Sequence, residues 1–241
     1  GTAIGSNISN IALIFGVSCL YFNSASKTHL WNLAPFGLTV VLLGLTLVDG
    51  TISFDESMGF VGLFMLFMFI LMKTDGVPEE EGSETSEFTK SLFLSMVGLF
   101  GLMAGANISI VYAESAAILL GISELIIGLT IIALGTSLPE LAATVAALKK
   151  GRHQMVVGNI IGSNVLNLVF VIPIIGFLGT VQLSPLIMQR DFSILAVLSL
   201  VFILLATSLS KLKFRRGFYV TAGIILVAGY ILYIATLSGV I

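Results

Sequence analysis

Thr136, Ser137 and Glu140 fall in one short stretch, Gly135-Thr136-Ser137-Leu138-Pro139-Glu140, inside an apolar run of membrane-spanning length. Two hydroxyls, a carboxylate and the carbonyls that a proline releases are all hard oxygen donors. That set suits Ca2+ or Na+ and not a soft metal. Pro139 has no N–H and clashes with the preceding turn, so the helix is expected to kink or break near Thr136. In a bilayer, backbone groups freed in this way must face protein, water or an ion. A carboxylate at bilayer depth costs about 2.5–3.5 kcal/mol on insertion scales, which marks Glu140 as functional. A proline kink alone is common in membrane helices, and serine or threonine often bonds back to its own helix. Neither habit accounts for a kink, two hydroxyls and a carboxylate together.

A second polar interruption follows in the next apolar run: Gly158-Asn159-Ile160-Ile161-Gly162-Ser163-Asn164, with Asn167 one turn on. The basic loop Lys149-Lys150-Gly151-Arg152-His153 separates the two runs. The same pattern opens the chain. At an offset of 157 residues, Gly1 matches Gly158, Gly5 matches Gly162, Ser6 matches Ser163, Asn7 matches Asn164 and Asn10 matches Asn167. A weaker correspondence at an offset of 158 sets Val48-Asp49-Gly50 against Ala206-Thr207-Ser208. A repeat of this length is a structural unit used twice. A G-x-x-x-G packing face explains the glycines, but not the repeated Ser-Asn-x-x-Asn.

The elements that must position these residues are membrane helices. The chain is 57% hydrophobic and only 10% charged, where a soluble domain carries about 25% charged residues. It has no basic face for nucleic acid. Cys19 is the only cysteine, so there is no internal disulfide and no thiolate metal cluster. Hydropathy places eight spans at about 3–22, 33–49, 57–73, 91–119, 124–148, 155–178, 192–209 and 217–238. Pro35 and Pro185 fall at span starts or in loops, whereas Pro173 lies inside a span and is expected to kink it. Residues 74–90 form an acidic linker with Glu79-Glu80-Glu81. It divides a first half, 1–73 with three helices, from a second half, 91–241 with five. His29 and His153 fall in loops and are expected to be solvated. Trp31, Tyr21, Tyr219 and Tyr233 fit interfacial anchoring.

Lysine and arginine in alternate loops number ten on one side (Lys27, Lys73, Lys90, Lys149, Lys150, Arg152, Lys211, Lys213, Arg215 and Arg216) and one, Arg190, on the other. The positive-inside rule then puts the linker in the cytoplasm and the C-terminus outside. It also makes residues 1–10 and 158–167 enter the membrane from opposite sides. The repeats are therefore inverted, which together with broken helices signals a secondary transporter with a mid-membrane ion site. Catalytic pairings of serine with histidine, paired aspartates and His-rich metal motifs are not found in the spans, so an enzyme is not expected.

On these residues the sequence resembles the calcium/cation antiporter superfamily, in its prokaryotic sodium/calcium exchanger branch. Residues 128–168 resemble its second alpha-repeat, and GTAIGSNISNIALIFG resembles the second half of the first. The resemblance implies an all-α polytopic inverted-repeat transporter of ten helices, of which about eight are present. It implies that Thr136, Ser137, Glu140, Ser163, Asn167, Ser6 and Asn10 line one ion cluster, and that the helix at 91–119 slides as a gate. The family's first GTS-x-PE-type segment is expected upstream of Gly1, on helices missing from the N-terminus. The implied activity is Ca2+ antiport against Na+ across a prokaryotic inner membrane, with no cofactor. Ca2+/H+ exchange is the alternative, K+ is a further candidate partner, and a non-transporting subunit or degenerate fragment is the alternative of another class.

Overall fold

The computed structural model describes residues 2–22, 30–73, 85–122, 124–127, 131–211 and 216–237. Apolar sequence in a bilayer must satisfy its backbone internally, and nearly all of the described chain is helical. In order, the helices are α1 (Thr2–Ser9), α2 (Gly16–Cys19), α3 (Leu30–Thr46), α4 (Phe54–Lys73), α5 (Thr85–Leu119), α6 (Glu124–Ile127), α7 (Ala133–Thr136), α8 (Leu138–Lys149), α9 (His153–Phe177), α10 (Ser193–Lys211) and α11 (Arg216–Leu237). A π-helical turn, Asn10–Phe15, joins α1 to α2, and another, Ile187–Phe192, leads into α10.

By length and composition, five of the described helices can cross a membrane: Phe54–Met72, Phe93–Leu119, His153–Phe177, Ile187–Thr207 and Arg216–Leu237. Ala3–Cys19 and Leu33–Thr46 are shorter apolar helices. The fifth expected span, 124–148, is no single helix. Ser137 and Pro139 interrupt it between α7 and α8.

Two further expectations need correction. The acidic linker 74–90 is shorter than its composition suggested, because α5 already begins at Thr85; residues 74–84 lie outside the described residues. The all-α class holds, with a short β pairing beside the helices. Thr51–Ile52 and Val181–Gln182 pair antiparallel, tying the loop after α3 to the loop after α9, and Leu183 N donates to Gly50 O at 2.8 Å. Gly50 supports that turn with φ +72°, a left-handed value that a side chain would strain. Finally, Pro35 lies inside α3, since that helix starts at Leu30, earlier than the hydropathy boundary.

The core centres on α9, which packs against α4, α8, α3 and α1. A second centre joins the Asn10–Phe15 turn, α3 and α10, where Phe202 meets Phe15 edge-on at 4.8 Å and Phe36 at 5.5 Å. α11 closes against α2 through glycines. A Cβ on Gly223 would run into the Gly16 carbonyl, so only a small residue allows this backbone approach. α5 stands apart from this body, with Phe93, Phe100, Met103, Ile108 and Tyr112 all exposed. It touches the rest through α6, α7 and α8.

Candidate functional site

The break expected at Pro139 is present and sharp. α7 ends at Thr136, Ser137 adopts φ −90°, ψ 0°, and α8 restarts at Leu138 with Pro139 in its first turn. A proline is tolerated there because first-turn N–H groups have no intrahelical acceptor anyway. Glu140 therefore lies in the first turn of α8, where the helix dipole favours a carboxylate. Ser137 is buried at the break and Thr136 is exposed. Gly135 lets α5 approach, since a Cβ there would collide with Ile110.

The two copies of the Ser-Asn-x-x-Asn motif pack against each other and against this break. Ser6 and Thr136 share a hydrogen bond between hydroxyls at 2.8 Å. Asn10 Nδ2 donates to Ser163 Oγ at 3.2 Å. Asn167 Nδ2 donates to Asn7 Oδ1 at 3.0 Å, and Asn7 Nδ2 donates to the Asn164 carbonyl at 3.1 Å. Of the seven residues singled out in the sequence, these contacts bring Ser6 to Thr136 and Asn10 to Ser163 directly, and Asn167 through Asn7. Glu140 joins through its backbone: Asn159 Nδ2 donates to the Glu140 carbonyl at 3.2 Å and to Thr144 Oγ1 at 3.1 Å.

Three buried amide or carboxylate oxygens in this cluster, Glu140 Oε2, Asn10 Oδ1 and Asn164 Oδ1, have no hydrogen-bond partner. A buried acceptor left unpaired costs about 1–3 kcal/mol, more when charged, unless something positive meets it. Hydroxyl, amide and carboxylate oxygens contributed by α1, α7, α8 and α9 can surround a hard cation. Among the described residues no three His, Cys, Asp or Glu side chains converge, so this donor set is mostly neutral.

Four polar residues in this region were not assigned from sequence. Asn7 and Asn164 were visible as part of the repeat, but spacing alone could not separate a ligand from a bridge. Asn159 had only its place in the glycine-rich stretch to mark it. Asp191 carried no motif at all. It is buried, paired with Arg190 at 2.7 Å and bonded by Tyr233 Oη at 3.1 Å. Tyr233 and Tyr219 are buried in the protein, while Tyr21 is exposed. His153 is not a solvated loop residue. It opens α9 with its ring edge-on to Phe22 at 5.2 Å. His29 lies outside the described residues.

α9 also departs from the sequence reading. Its polar stretch at 158–167 does not interrupt it, and the helix runs unbroken from His153 to Phe177, through Pro173. The first copy is the interrupted one, with its π-helical turn starting at Asn10. Such turns recur at functional sites because they re-aim side chains and leave backbone groups out of register.

The chain is 34% identical over 251 residues to the inner membrane protein YrbG of Escherichia coli, covering 98% of this chain and 76% of that protein. It is 32% identical over 118 residues to the sodium/calcium exchanger MaX1 of Methanosarcina acetivorans, covering 49% of this chain and 34% of that protein. It superposes on a structure of the sodium-calcium exchanger NCX_Mj with a TM-score of 0.78 and 30% identity, covering 98% of this chain and 76% of that one. Structures of that exchanger include crystals soaked with Na+ together with Sr2+ or Ca2+. Residues 1–73 and 90–239 match the family described as sodium/calcium exchanger protein. The chain belongs to this sodium/calcium exchanger family, whose members are cation antiporters of the membrane that carry ions as cargo, not enzymes.

Proposed function

We propose that the chain exchanges Ca2+ for Na+ through the cluster of Thr136, Ser137, Glu140, Ser163, Asn167, Ser6 and Asn10. The observation that carries this reading is the pair of unpartnered buried oxygens, Glu140 Oε2 and Asn10 Oδ1, on opposed elements of that cluster. Family membership supplies the transport class, and the relatives' names point to Na+ and Ca2+ as the ions. Na+ fits better than H+ as counter-ion for a chemical reason. Hydroxyl and amide oxygens coordinate Na+ as readily as Ca2+, but they do not take up protons near neutral pH. Only Glu140 in this set titrates. Overlapping ligand sets make the two cations compete, and a dry carboxylate without a cation is costly to carry across the bilayer.

The ten-to-one basic asymmetry supports an orientation with residues 74–90 in the cytoplasm and the C-terminus outside. In that orientation the two Ser-Asn-x-x-Asn copies enter from opposite faces, as alternating access through inverted repeats requires. α5 is the moving part in this proposal. It is largely exposed and touches the break through Gly135, so its sliding would open Thr136 and Glu140 to either side. The halves 1–73 and 91–241 are the two repeat units that this motion relates.

The test is Glu140→Gln in vesicles loaded with Na+. The substitution keeps shape and hydrogen-bonding capacity while removing the charge. Na+-driven Ca2+ uptake should fall to background with expression and melting temperature retained. Uptake that persists would overturn the assignment. Uptake driven equally well by a pH gradient in Na+-free buffer would replace Na+ with H+.

A further inference from the structure

Two short relays start on backbone carbonyls of α9 one turn apart and end on amide groups of the cluster. In the first, the Asn164 carbonyl accepts from Asn7 Nδ2 at 3.1 Å. A carbonyl can only accept, so Asn7 must turn its NH2 toward α9 and its Oδ1 the other way. That oxygen accepts from Asn167 Nδ2 at 3.0 Å. Only the NH2 end of Asn167 can meet an acceptor, so Asn167 Oδ1 is turned away from Asn7. In the second relay, Ser163 donates its only hydroxyl hydrogen to the Ile160 carbonyl at 3.3 Å. Its oxygen is left as the acceptor for Asn10 Nδ2 at 3.2 Å. The remaining end of Asn10 is then Oδ1, buried and without a hydrogen-bond partner. Each relay passes an orientation from a fixed backbone dipole to a side-chain amide.

An amide facing a cation is either a ligand or an obstacle. Its oxygen attracts the ion, its NH2 repels it, and half a turn about one bond exchanges the two. We infer that Asn7 is a positioning residue that holds the Asn167 amide with its oxygen toward the cation, and so governs Ca2+ affinity. The inference rests on the proposed reading in which Asn167 lines the cation cluster. Asn7 is fully buried and both ends of its amide are engaged, so it acts through Asn167.

The experiment is Ca2+ titration of the purified full-length protein by calorimetry, with CaCl2 as the probe. Asn7→Ala should raise Kd about ten-fold, the scale on which loss of an outer partner weakens a metal site. In an Asn167→Asp background both ends of the side chain are oxygens and no orientation is needed. There, Asn7→Ala should change Kd by less than about two-fold, since the coupling between the two sites is removed. Asn7→Leu, which keeps the branched shape at Cγ, gives the same comparison if the alanine variant does not fold. An equal penalty in both backgrounds overturns the orientation role, because Asn7 would then act through packing. So does no penalty in the native background, or loss of Ca2+ binding in Asn167→Asp alone. Failure of the underlying reading looks different: the unsubstituted protein would bind no Ca2+, or Glu140→Gln would leave binding unchanged.

Discussion

The segments 1–10 and 158–167 carry one motif and use it in two ways. α9 is continuous for 25 residues and gives its backbone carbonyls at Ile160 and Asn164 as fixed acceptors. α1 stops at Ser9, and the chain opens into a π-helical turn at Asn10. Asn7 reaches across to the Asn164 carbonyl, whereas Asn164 folds back onto Ile160 O of its own helix at 2.7 Å. Asn10 donates to a serine of the other copy, while Asn167 donates to an asparagine. A duplicated sequence therefore need not give a symmetric site. One copy serves as the ruler and the other is adjusted to it. In a transporter that exposes its site alternately to two sides, such asymmetry is what distinguishes one access state from the other.

The sharpest way to break this comparison is to remove the matching amides in turn. Asn10 is 1% exposed and its oxygen has no other partner, whereas Asn167 is only half-buried. Asn10→Leu should weaken Ca2+ binding about 100-fold and Asn167→Leu about 10-fold, the range over which metal-site partners act. Calorimetric Kd values for the two variants, each checked for an unchanged melting profile, decide it. Equal penalties would mean that the two copies contribute alike and that the asymmetry is incidental.

A second comparison sets Pro139 against Pro173. Pro139 stands at a break that places Glu140 in a first helical turn, and Pro173 stands inside a helix that continues past it. Pro139→Ala restores an N–H and lets α7 and α8 join, which would move Glu140 off its neighbours. Na+-driven Ca2+ uptake should fall about ten-fold, because a misplacement of about 1 Å at a site has costs of that order or larger. Pro173→Ala should keep uptake within about two-fold, since no break depends on it. Matching losses would show that the break at Ser137 has no special part in transport.

Much of this site was legible before any coordinates. Pro139 announces a break because its missing N–H is a local property, and the break is where it should be. The repeat set Ser6, Asn7 and Asn10 against Ser163, Asn164 and Asn167, and the resemblance to the exchanger family singled out Ser6, Asn10, Ser163 and Asn167 among them. What could not be read depended on partners distant in sequence. The clamp of Asn159 on Glu140 and Thr144 is a contact between helices, and its residue type is equally at home on a packing face. Asp191 fell in an expected loop beside Arg190, yet Tyr233 lies 42 positions away and meets it in the interior. The π-helical turns left no signal either, since Asn10–Phe15 and Ile187–Phe192 have ordinary helical composition. The continuity of α9 was misjudged for a related reason. Gly158, Gly162 and the asparagines have low helix propensity, but neighbouring helices hold them in place.

The smallest expected effect concerns the two central asparagines and reads stability instead of transport. Asn164 is fully buried; its Nδ2 bonds Ile160 O, and its Oδ1 has no hydrogen-bond partner. Asn164→Leu removes one neutral hydrogen bond, but it also removes an unsatisfied acceptor, and these changes oppose each other. Its net cost should be below about 0.5 kcal/mol. Asn7→Leu removes two good bonds and leaves the Asn167 amide without its acceptor, with no unsatisfied atom removed in exchange. Hydrogen bonds between membrane helices average about 0.6 kcal/mol each, so this change should cost about 1–2 kcal/mol. Denaturant unfolding in detergent, with both variants measured against the unsubstituted chain, gives the difference. A larger cost at Asn164 than at Asn7 would reverse the roles, making the α1 copy the fixed element and α9 the one adjusted to it.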